Sequence, residues 1–98
     1  MTLLEFKRTL AQSKPPVGLP LALVALWWAG QDQWDKAHQI VMDEAGQECA
    51  WVHAYLHRVE GDLGNADYWY RQAQRPVPTG PLPVEWAAIA EALLENGP

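Results

Sequence analysis

His53 and His57 stand four residues apart in the run CAWVHAYLHRVEGDLGNADYWYRQAQR, residues 49–75. On a helix they lie one turn above the other, and Glu60 adds a carboxylate on the same side. An i, i+4 pair of imidazoles is a spacing by which helices hold transition metals. His38, in the preceding helical segment, supplies a third candidate ligand. His38, His53, His57 and Glu60 therefore define one expectation: a metal or small-ligand site, with hydrolysis as a reaction that such a site supports.

Two other uses of the same side chains compete with this one. The chain carries neither HExxH nor paired cysteines, which are the stronger metal signatures. Histidines at interior positions can instead hydrogen-bond to the next helix, here to Tyr70, Asp67 or Asn65. An unpartnered buried polar group costs about 1–3 kcal/mol, so such partners are required. Alternatively, His53, His57, Glu60, Tyr68, Trp69, Trp51 and Tyr55 line a groove for a protein or peptide. Tyr68, Trp69 and Tyr70 are consecutive, so they point in three directions around a helix and cannot all enter one core. Aromatic rings with polar tips serve as binding anchors.

Other chemistries find no residues to carry them. Ser13 is the single serine, so no serine triad is available. Gly61 and Gly64 belong to a helix turn and not to a phosphate loop. The paired acids Asp43 and Glu44 read as a solvated helix end. One cysteine, Cys49, excludes an internal disulfide and fits a reducing, cytoplasmic setting. Twelve acids against seven bases give a net charge of −5. The bases are scattered and none follows Arg75, so nucleic acid is not an expected partner. No cofactor follows from the scaffold reading, and the oligomeric state is not encoded in any visible pattern.

The elements that must position these groups are helical. Thr2 and Glu5 form a capping-box pair before a first helix over residues 2–13, with Leu3, Leu4, Phe6 and Leu10 as its apolar stripe. Lys14, Pro15 and Pro16 end it. Residues 17–29 are almost all apolar, yet too few to span a bilayer, which takes about 20 residues. A signal peptide cut after Ala29 would put the bulky Trp27 where a small residue is wanted. The run therefore predicts a buried central helix over 19–29, ended by Gly30. Asp32 is the expected cap of a third helix reaching Glu44, with Trp34, Ala37, Ile40 and Val41 buried. A fourth helix follows over 47–60, and Asp62 or Asn65 opens a fifth that reaches Arg75. Four prolines and a glycine in 76–83 make a stiff connector. The last helix spans 83–95, with Trp86, Ile89, Ala90, Leu93 and Leu94 inward, and Asn96 and Gly97 end it. No strand-like alternation occurs, so the expected fold is all-α: one domain over residues 1–98, with hairpins at 19–45 and 47–75.

Sliding the chain by 29 residues places Ala25 on Ala54, Trp28 on His57, Asp32 on Gly61, Trp34 on Leu63, Ala37 on Ala66 and Val41 on Tyr70. The second copy resembles the tetratricopeptide repeat. Ala54 and Ala66 fall at its small positions, Gly61-Asp62 at its turn, Tyr70 and Ala73 at its later packing positions, and Pro78 near its closing proline. The first copy departs from the pattern, with Asp32 in place of the turn glycine. The resemblance covers residues 21–78 and implies antiparallel hairpins stacked as repeats, acting as a protein-interaction or scaffolding module. Residues 50–73, together with Trp34, Ala37 and His38, also resemble a group of small helical proteins that carry a run of the type WVHAYLHR-EGD-NA-YWYR-A, with no activity implied. In the repeat register His53 matches Val24 and His57 matches Trp28, so the histidines stand where the sister copy has apolar side chains.

Overall fold

Local sequence sets where each helix starts. Residues 1–95 are described by a computed structural model containing six helices: α1 (Leu3–Thr9), α2 (Leu21–Gly30), α3 (Trp34–Val41), α4 (Gln47–Glu60), α5 (Leu63–Ala73) and α6 (Leu82–Glu95). The expected stop at Asn96 and Gly97 lies outside the described residues. The fold is all-α, and its radius of gyration of 12.3 Å matches the roughly 13 Å of a single domain this size. No described helix is long and apolar enough to cross a membrane.

The α1 capping box forms as its residues predict. Thr2 Oγ1 accepts the Glu5 N–H at 3.1 Å, and Glu5 Oε1 accepts the Thr2 N–H at 2.8 Å. The helix is shorter than expected, because the backbone tightens into i→i+3 bonds from Leu10 to Gln12. Gln31 Nε2 stabilises this ending by donating to the Leu10 and Gln12 carbonyls. Leu4, expected in the apolar stripe, is exposed, whereas Phe6 is fully buried. The central run forms α2, which opens directly after Pro20 and buries Ala22, Leu23, Ala25, Leu26 and Trp27. It is apolar on every side because other helices surround it.

Asp32 does not cap α3. It adopts a left-handed conformation at φ 59°, and Gln33 occupies the cap position without a side-chain bond. The helix also stops at Val41, three residues short of Glu44. The reason lies in the turn, which has the same geometry as the next one. Gln33 N–H donates to Trp28 O at 2.9 Å and Asp32 N–H to Ala29 O at 3.0 Å. Twenty-nine residues later, Asp62 N–H donates to His57 O at 3.0 Å and Gly61 N–H to Arg58 O at 3.1 Å. Both pairs close a helix in the Schellman manner, which needs a left-handed residue. Gly61 takes that conformation at φ 85° without steric penalty, and Asp32 does the same duty with a short polar side chain. Asp62, not Asn65, caps α5, accepting the Asn65 N–H at 3.3 Å.

Helix α2 packs on α3 and α4 packs on α5, giving two antiparallel hairpins, with α3 and α2 also against α4. The α4–α5 seam is close because Ala54 and Ala66 are both small and buried, with Tyr70 beside them. Helix α6 lies on α1, α2 and α4. Its Trp86 Nε1 donates to Leu26 O at 2.9 Å and its ring stacks on Phe6. Gly30 permits this approach: a Cβ there would lie 3.0 Å from both Leu10 Cδ2 and Trp86 Cζ2. A buried carboxylate, Glu85, ties α6 to the second hairpin. It accepts from Arg58 Nη1 at 2.8 Å and from the Tyr70 hydroxyl, while Arg58 Nη2 also donates to the Gly80 carbonyl of the connector.

Candidate metal centre

Three imidazoles meet between the hairpins. Helix α4 presents His53 and His57 one turn apart, and α3 presents His38 opposite them. His38 Nε2 and His53 Nε2 are 3.1 Å apart. The ring centroids of His38 and His53 are 4.8 Å apart, those of His53 and His57 4.8 Å, and those of His38 and His57 5.3 Å. One coordinating nitrogen from each of the three lies within 4.8 Å of the other two. His53 is 4% exposed and His57 6%, while His38 is half-buried and forms the outer side.

Aromatic walls fix two of the rings. The Trp34 ring stacks on His38 with centroids 4.6 Å apart, and the Trp69 ring stacks on His53 at 4.0 Å. Trp34 is itself pinned, since its Nε1 donates to Leu56 O at 2.6 Å. The third ring is fixed by charge: His57 Nδ1 stands 2.6 Å from Glu60 Oε1. Asp62 adds a second carboxylate near His57 and Glu60, and one potential ligand atom from each of these three residues lies within 4.8 Å of the others.

The interior hydrogen bonds expected to Tyr70, Asp67 or Asn65 do not form. Tyr70 points the other way, to Glu85, and His53 meets His38 and Trp69 instead. His53 Nδ1 is buried and has no hydrogen-bond partner. A neutral imidazole has one donor and one acceptor nitrogen, so the protein satisfies half of this ring.

Burial keeps His53 and His38 neutral. His53 is pushed down to about 4, first by desolvation and then by the neighbouring His38 and His57. His38 is lowered for the same reason, with burial the largest cause and His57 next, opposed by Glu60 and Asp35. Neutral imidazoles keep the lone pairs that a metal ion requires. Imidazole nitrogens suit zinc, copper, nickel and ferrous iron.

The residues expected to line one groove fall on two sides of α4. His53, His57, Glu60 and Trp69 gather at the imidazole cluster, and Tyr68 is 54% exposed beside Trp69, with rings edge-on at 5.1 Å. Trp51 and Tyr55 face away. Trp51 lies under the Arg75 guanidinium at 4.0 Å, and Tyr55 borders a cavity of about 480 Å³ with Leu10, Trp34 and Trp86. Trp34, expected only in the core, is part of this site, and its i, i+4 spacing from His38 is the signal for it in the sequence. The Arg58–Glu85–Tyr70 network had no such signal, because its members come from three helices.

No family model matches this chain, and no curated protein or solved structure does so either.

Proposed function

We propose that the chain is a helical-repeat module that binds a divalent transition-metal ion through His38, His53 and His57. The convergence of three mostly buried imidazoles, two of them held neutral by burial, is the observation that supports this reading. A tetrahedral ion at 2.0–2.1 Å from each nitrogen needs ligand atoms about 3.4 Å apart. His38 Nε2 and His53 Nε2 stand near that spacing already, and a nitrogen of His57 lies within 4.8 Å of one on each of them. Three protein ligands leave a fourth position for water or a further ligand, the pattern of exchangeable and catalytic zinc sites.

Stacking of the hairpins as in tetratricopeptide repeats belongs to the same proposal. It is supported by the 29-residue register, which recurs in the turn hydrogen bonds, in Trp34 and Leu63 as first residues of α3 and α5, and in the small buried pair Ala37 and Ala66. A second reading, binding of a protein or peptide partner, is favoured by one observation: Tyr68 projects into solvent beside the half-buried Trp69.

Metal analysis and equilibrium dialysis of protein purified without a histidine tag test the first reading. Stripped protein should take up one Zn²⁺ per chain, and His38→Ala and His53→Ala should abolish stoichiometric uptake. Wild-type protein that retains no stoichiometric Zn²⁺, Ni²⁺ or Co²⁺ would overturn it.

A further inference from the structure

We infer that Glu60 is the positioning carboxylate of this centre and not one of its ligands. The inference rests on the metal reading above and reassigns a residue that sequence spacing had placed among the ligands. Glu60 Oε1 lies 2.6 Å from His57 Nδ1, close enough to hold a proton on that nitrogen. With Nδ1 as the donor, the lone pair of His57 resides on Nε2. Nε2 is the same nitrogen type through which His38 and His53 already face each other. Glu60 thus fixes both the tautomer and the ring orientation of His57. A carboxylate in that role commonly raises the basicity of a histidine ligand.

The competing arrangement makes Glu60 a ligand, with Asp62 and His57 as its companions. Solvation argues against it. The Glu60 side chain is 39% exposed and that of His57 only 7%, so the pair runs from water inward to the buried imidazoles. Asp62 is exposed and its carboxylate already accepts the Asn65 N–H as the cap of α5. The His57 ring itself lies against His38 and His53, with centroids 5.3 and 4.8 Å away, on the buried side of the pair.

The test compares wild type, Glu60→Ala and Glu60→Gln in three measurements: Zn²⁺ affinity by chelator competition, Zn²⁺ stoichiometry, and the His57 tautomer by long-range nitrogen–proton NMR of the metal-free protein. Wild type should bind one ion, with the His57 proton on Nδ1. Glu60→Ala should still bind one ion, about 10–100-fold more weakly, and should lose the single tautomer. Glu60→Gln, whose amide oxygen can still accept the proton, should fall between the two. Circular dichroism establishes that each variant is folded. Two ions per wild-type chain, or complete loss of the ion in folded Glu60→Ala, would make Glu60 a ligand and overturn the inference. Equal affinity in Glu60→Ala and wild type would also overturn it while leaving the metal reading intact. A wild-type chain that binds no ion would instead remove the metal reading itself.

Discussion

His38 Nε2 and His53 Nε2 stand 3.1 Å apart across the seam between α3 and α4, although fifteen positions separate the residues in the chain. One ring donates and the other accepts, so each supplies the other's partner. The contact extends into a column, with Trp34 stacked outside His38 and Trp69 outside His53. Nothing in hairpin packing requires this arrangement. The sister position of His53 in the 29-residue register is Val24, an apolar and half-buried side chain.

That comparison yields a prediction for His53→Leu. Replacing a buried group that has an unpartnered nitrogen removes a desolvation penalty, and the half-buried His38 regains water. Metal-free His53→Leu should therefore unfold in denaturant within about 1 kcal/mol of wild type, or be more stable. Its stability should no longer respond to Zn²⁺. Wild type should gain about 2.7 kcal/mol at an ion concentration 100 times Kd. A destabilisation of about 2 kcal/mol or more in the metal-free variant would show that His53 is there for structure.

Ala66 tests the second hairpin. It is 2% exposed and packs against Ala54 and Tyr70, so a larger side chain presses on the seam. Ala66→Leu should lower the stability measured by urea unfolding by about 1–3 kcal/mol, through overpacking of the α4–α5 seam. An unchanged denaturation midpoint would mean that the seam relaxes freely and is not the close contact described above.

The buried phenols predict a loss of stability at high pH. Desolvation pushes Tyr55 up to about 12, with the Glu85 charge as the next cause. Tyr70 is raised as well, by burial first and then by its hydrogen bond to Glu85. In the unfolded chain both titrate near 10. Between pH 10 and 12 the unfolded state therefore binds fewer protons than the folded state, and stability must fall as pH rises. The contribution is complete below about pH 10 and is lost progressively toward the folded values, on the order of 2–3 kcal/mol for Tyr55 alone. Denaturant midpoints measured across this window should decline more steeply in wild type than in Tyr55→Phe or Tyr70→Phe. Identical slopes in all three proteins would contradict the burial of these hydroxyl groups.

Much of the scaffold was legible in the residues. The capping box of Thr2 and Glu5, the apolar run of α2 and the glycine turn at Gly61 all act through neighbours within a few positions. The 29-residue register was legible too, because the turn that ends α2 and the turn that ends α4 draw on equivalent residues. The departures are instructive. Asp32 looked like a helix cap by residue type, but the chain reversal needed a left-handed residue at that point. Tyr70 looked like a partner for the histidines, but it lies on the side of α5 that reaches Glu85.

The sequence by itself determined six helices, the glycine turn at Gly61 and the one-turn spacing of His53 and His57, since these follow from periodicity and local hydrogen bonding. Only the tertiary structure decided that His38 would meet His53, that Glu60 would face His57 Nδ1, and that Arg58, Tyr70 and Glu85 would share one buried network. These contacts depend on how helices cross. Crossing is set by the summed packing of all their side chains and leaves no pattern within any one helix.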